Sequence, residues 1–239
     1  MRGTLTLRLA FAAVLAGAAG GFAQHGGDIL IDYQGGKIFI KPGPEGLVFE
    51  GEFYPPIPLL GQPLPFTDDP GFDTLGEETG IYGLIPGDII GYNVMGPLAY
   101  HDGASLATPT VDLLIIKGLT ATVTATSGFQ PGFGIGLVNL DFDDNGNPIG
   151  VFHKHVDFKL SSASAPFGAY GVQLQLFSTN PTISPSDPFW IVFNWGLDDE
   201  SFEEAVHAIT IPETSSLTLA LCAGAAAAGL GLRRRVRRA

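Results

Sequence analysis

The chain has 239 residues, 24 of them acidic and 12 basic, with a formal net charge of −12 and a hydrophobic share of 45%. That share argues against disorder, and residues 24–211 are long enough for one domain with a real core. Between Arg8 and Arg233 the only cations are Lys37, Lys41, Lys117, Lys154 and Lys159, so residues 24–212 set 23 carboxylates against five lysines, about −18. Such a field repels nucleic acid and anionic lipid, and nucleic acid is excluded as a partner.

Residues 1–23 read as a secretory signal helix. Arg2 and Arg8 supply the charged start, Leu9 to Ala19 a short apolar run, and Gly21-Phe22-Ala23 the small residues that signal peptidase reads before Gln24. "DILIDYQGGKIFI" then predicts a hairpin, with Ile29–Tyr33 and Lys37–Ile40 joined at Gly35-Gly36. Leu47–Tyr54 reads as a further strand. Six prolines between Pro55 and Pro70 rule out a central strand or helix there, because each fixes φ and removes a donor. That stretch, on to Gly80, is expected to be a long surface loop, of the kind that can bind ligands.

Asp88–Val94, Val111–Lys117 and Thr120–Ser127 follow as strands. In the last, threonines alternate with Ala121, Val123 and Ala125, giving one wet and one dry face. Ile135–Phe142, Val151–Leu160, Gly171–Phe177 and Phe189–Asn194 complete the set. Only "LDDESFEEAVHAI" looks helical in the body. Phe202, Ala205, Val206 and Ile209 share a face; Asp198, Asp199 and Ser201 are candidate N-caps, and Ser201 with Glu204 would form a capping box. The expected fold is all-β: an antiparallel two-sheet sandwich, jelly-roll or Ig-like, of about eight to ten strands with one short C-terminal helix.

Leu217 to Leu232 carries no charge. Its 16 residues would make a helix of roughly 24 Å, short for a ~30 Å hydrocarbon core but usable with snorkelling arginines. Arg233, Arg234, Arg235, Arg237 and Arg238 would hold that end in the cytoplasm and leave the body outside. The order Pro212-Glu213-Thr214, apolar span, basic tail resembles the PEP-CTERM sorting signal of bacterial exported proteins, with Thr214 where the family usually has proline. The resemblance covers residues 212–239 and implies processing by an exosortase-type enzyme near Pro212-Glu213. A permanent single-span anchor is the alternative. Cys222, the sole cysteine, falls inside the span, so no intrachain disulfide can form.

"FHKHVDFKL" holds the strongest candidate site. On a strand, His153, His155 and Asp157 point one way and Phe152, Lys154, Val156, Phe158 and Leu160 the other. Residues two apart are about 6.6 Å apart along a strand, so two imidazoles can converge on one ion. Zinc takes three or four ligands at ~2.0–2.1 Å for nitrogen. The histidines supply two, Asp157 is a candidate third or an orienting acceptor, and His25 is the candidate from the mature N-terminus. An ordinary solvent face explains the same alternation. The body, through His25 with Asp28, the Gly-rich turn before "KIFI" and the late His-x-His strand, resembles choice-of-anchor M and Zur-repressed PEP-CTERM surface proteins. This resemblance implies surface or periplasmic display and, for the Zur-linked members, an association with zinc supply.

In "DFDDNGNPIG", Asp141, Asp143, Asn145 and Gly146 match the start of a calcium loop, but the twelfth position is Phe152, so an EF-hand is excluded. A weak calcium site or a plain Asn-Gly turn both fit. Signatures of serine hydrolases, zinc proteases and phosphate loops are missing from the sequence. Trp190, Trp195, Tyr82 and Tyr92 could stack sugars or fill the core. The expected function is a non-enzymatic protein of the cell envelope or extracellular matrix that binds a divalent metal. A metal-free matrix protein and a carbohydrate-binding module, with extracellular polysaccharide as partner, are its rivals.

Overall fold

The computed structural model describes residues 27–118, 121–125 and 128–211. The signal segment, His25 and the tail from Pro212 onward lie outside the described residues. Among those residues the chain is mostly strand, gathered into several sheets, with one helix of substantial length.

The N-terminal hairpin forms as its sequence demands. Ile29–Gln34 and Lys37–Ile40 pair antiparallel, with Gln34 opposite Lys37. Gly35 and Gly36 both have positive φ, 59° and 76°, a conformation that suits the twist of a two-residue hairpin turn and that glycine adopts without steric cost. Ile29, Ile31, Ile38 and Ile40 face inward. This hairpin belongs to a four-stranded sheet, in the order His153–Lys154, Phe72–Thr74, Ile29–Gln34, Lys37–Ile40.

A second four-stranded sheet runs Ala121–Ala125, Leu113–Lys117, Asp157–Leu160, Phe66–Thr67. The largest is ordered Gln130–Leu137, Ile89–Val94, Gly168–Ser178, Phe189–Trp195, Val48–Glu52, with Ala99–His101 and Leu106–Ala107 alongside. Phe189–Trp195, an interior strand between Gly168–Ser178 and Val48–Glu52, is apolar on both faces over Phe189–Phe193, as a covered strand should be. The helix Asp199–Thr210 lies against this sheet, burying Phe202, Ala205, Val206 and Ile209 on Ala169 and Val192. Its cap is Asp198, which accepts from the Ser201 amide at 3.0 Å; the helix therefore begins before Ser201, and the expected Ser201–Glu204 capping box does not lie at its start.

Three expectations are corrected. The Pro-rich stretch is more than a surface loop. After Pro70 the chain enters the interior as Phe72–Thr74, running parallel to Ile29–Gln34, and Phe72 and Thr74 are fully buried. Phe66–Thr67 forms an edge strand, the one sheet position that proline neighbours tolerate. Second, the pairing is not purely antiparallel, since Phe189–Trp195 also runs parallel to Val48–Glu52; long connections separate both parallel pairs, as such pairing requires. Third, two predicted strands break. Ile135–Phe142 divides at buried Val138, whose amide donates to Asp88 O. Val151–Leu160 divides twice, at Phe152, since Val151 ends the hairpin strand Pro148–Val151, and at His155–Val156, where the chain leaves the first sheet for the second.

Candidate metal centre

That break carries the chemistry. His153 sits in the short strand paired with Phe72–Thr74, opposite Asp73. His155 follows in the step between sheets, where its carbonyl accepts from Lys117 Nζ at 3.1 Å. Burial, with Lys154 nearby, lowers the Lys117 pKa, and Asp157 opposes that shift. Asp28 stands at the head of the first strand of the hairpin, and its Oδ1 accepts from the Gly71 amide at 3.0 Å. Three segments distant in sequence thus meet at one sheet end. Asp28, His153 and His155 each offer a donor atom within 4.8 Å of the others.

The hydrogen bonds fix which ring nitrogens face one another. His155 Nδ1 is 2.8 Å from Asp68 O. A carbonyl only accepts, so Nδ1 carries the proton and the neutral ring bares its lone pair at Nε2. His153 Nδ1 lies 3.1 Å from Asp73 Oδ2 and 3.5 Å from Asp28 Oδ2. Carboxylates also accept, so the same tautomer follows. The two Nε2 atoms are 3.3 Å apart. Two lone pairs facing at that distance repel, and the arrangement is stabilised by a proton or a cation between them. Two imidazole nitrogens at ~2.0–2.1 Å on a tetrahedral zinc stand about 3.3–3.4 Å apart. Asp28 Oδ2, 3.9 Å from His155 Nε2 and 3.5 Å from His153 Nδ1, adds an oxygen donor beside the pair. The donor set fits a borderline divalent ion, with Asp73 and Asp68 O orienting the rings from behind.

Gly71 makes the cradle possible. A Cβ there would meet His155 Cε1 at 2.5 Å and Asp28 Oδ1 at 2.8 Å. Its amide holds Asp28, and its carbonyl accepts from the Ile29 amide at 2.8 Å, so backbone contacts from both sides pin the carboxylate.

The other candidate residues lie elsewhere. Asp157 stands in the second sheet opposite Ile116, with its carboxylate 3.3 Å from Lys159 Nζ. Its shared parity with the histidines is lost where the strand breaks. His25 lies outside the described residues, as do Pro212, Glu213, Thr214, Arg233, Arg234 and Arg235. Asp141, Asp143 and Asn145 form the turn of the hairpin Asn139–Phe142 and Pro148–Val151. Both Asp143 oxygens are used within that turn, Oδ1 by the Asn145 and Asn147 amides at 2.9 and 2.8 Å and Oδ2 by Asn147 Nδ2 at 2.9 Å. Of the aromatic candidates, Tyr92 is fully buried in the core and Trp195 Nε1 donates to Ala165 O at 3.1 Å.

Sequence reasoning missed Asp73 and Asp69, whose Oδ1 lies 3.7 Å from His155 Nδ1, as companions of the histidines, and it placed Asp28 only through a family resemblance. The available signal was "TDDPGFDT", a concentration of carboxylates in a stretch read as loop. Comparison of the chain with family models, curated proteins and solved structures finds no match.

Proposed function

We propose that the protein is an exported, non-enzymatic protein of the cell surface or extracellular matrix, whose β domain is a two-sheet sandwich of jelly-roll or Ig type and holds a divalent cation, zinc foremost, between Asp28, His153 and His155. The observation that carries the metal reading is the pair of Nε2 atoms 3.3 Å apart, with both Nδ1 atoms engaged by acceptors. His25, three residues before Asp28, is close enough in sequence to supply a fourth donor. Export and sorting rest on the two ends of the sequence: the cleavable start, then the Pro212-Glu213-Thr214, apolar span and arginine order that a sorting enzyme would process. Removal of that tail releases the domain; retention leaves it anchored with its C-terminus in the cytoplasm.

Bound zinc would accept the facing imidazole lone pairs, offset the Asp28 charge and join the head of the hairpin to the sheet-to-sheet step. The full chain purified in detergent, stripped with chelator and titrated with zinc, is expected to take up one equivalent and to unfold at a higher temperature when loaded. His153→Ala should lose both effects. A wild type that ignores zinc in both measurements would mean that the imidazole pair shares a proton instead. Mass analysis of the protein recovered from its own envelope tests the export reading, with Gln24 expected as the first residue.

A further inference from the structure

On the far side of Asp28 the surface opens into a groove of about 720 Å³, a volume in the range of small-ligand sites. Val48 and Phe49 line it, together with Glu45, Glu50, Glu203 and Asp28. Among the described residues Lys41 is the one cation in the lining, and it already donates to Glu78, which also lines the groove. His207, one turn from Glu203 on the helix, has a ring nitrogen within 4.8 Å of carboxylate oxygens of Glu45 and Glu203. Glu50 shows the consequence. Burial, then Glu203 and Glu45, raise its pKa, and His207 offsets them only in part.

We propose that this groove binds a positively charged organic ligand with an apolar body, an alkylammonium or guanidinium of the kind borne by polyamines and by lysine and arginine side chains. The carboxylates recognise the cationic head, and Val48 and Phe49 take the methylene chain. The hollow far exceeds what a bare metal ion would fill. The two histidines do not line it, but Asp28 is shared with them, so the groove offers its full charge when they hold no zinc.

The test uses the full chain in detergent and 1,6-diaminohexane as probe, followed by calorimetry, with hexanoate and calcium as comparison ligands. The diamine is expected to bind, and to bind more weakly as salt is raised. Glu50→Gln combined with Glu203→Gln should weaken it by about tenfold or more. In protein stripped of zinc, His153→Ala should leave diamine binding unchanged, so loss of zinc uptake and loss of diamine binding are read separately. The proposal is overturned if the diamine fails to bind, if the double variant binds it as well as wild type, if hexanoate binds equally, or if calcium displaces it stoichiometrically at the same carboxylates.

Discussion

Two polar clusters, the histidine centre and the Asp143 turn, differ in what their hydrogen bonds leave over. In the turn, Asp143 turns both oxygens inward onto Asn145 and Asn147, and the residues that resemble the start of a calcium loop are consumed in closing a hairpin. At the histidine centre His155 Nδ1 donates to Asp68 O, and His153 Nδ1 faces Asp73 and Asp28. The two Nε2 atoms face each other at 3.3 Å, with Asp28 Oδ2 beside them. The oxygens of the turn close on their own loop, whereas the centre sets imidazole nitrogens and a carboxylate from distant segments against one another.

The largest expected contrast is in stability. Phe72, buried and packed edge-on against Phe189 at 6.4 Å, ties the centre to the core, so Phe72→Ala should cost about 3–5 kcal/mol. Phe142 beside the turn is 60% exposed, and Phe142→Ala should cost less than about 0.5 kcal/mol. Urea melts of the two variants check this. Comparable losses would mean that the hairpin is as firmly built in as the centre.

Zinc affinity gives the next contrast. His155→Ala should lower it by more than about 100-fold, read by competition with a chromophoric chelator, whereas Asp143→Ala should leave it unchanged. Gly71→Ala sharpens the geometry. Its Cβ displaces His155 and Asp28, and a loss of about 1–3 kcal/mol in stability should accompany weaker zinc binding. A Gly71→Ala protein with native affinity would show that the cradle is not tight. Asp73→Ala tests the orienting role, with about a tenfold loss of affinity expected.

The smallest effect is a pH dependence at the turn. The Asn147 side-chain amide, followed by its main-chain amide, lowers the Asp143 pKa below the ordinary carboxylate value. A depressed acid contributes stability that is present above its unfolded pKa and is lost as pH falls through the folded one. The difference in stability between wild type and Asp143→Ala should therefore shrink as the solution is acidified past the ordinary carboxylate range. A constant difference across that range would place the contribution elsewhere.

How much of this was legible in the sequence follows the range of the interactions. The hairpin at Gly35-Gly36 and the helix face Phe202, Ala205, Val206 and Ile209 are written in local period, and both stand where the period puts them. The His-x-His pair was legible as a pair for the same reason. Period fails where a strand changes sheets. Asp157 shares parity with His153 and His155 on paper, but the step at His155–Val156 carries it to Lys159. Asp28 and Asp73 reach the histidines through a parallel pairing between strands 43 residues apart in the chain, and no local pattern encodes that meeting. Proline density around Pro55 to Pro70 correctly excluded a central strand there, yet it concealed the three-residue strand that begins just after.

X-ray absorption at the zinc edge of the loaded full chain measures the central claim most directly. Two imidazole nitrogens at about 2.0–2.1 Å, with oxygen completing the shell and no such zinc signal from His153→Ala, is the predicted result. A shell of oxygen alone, or a spectrum identical in wild type and His153→Ala, would contradict it.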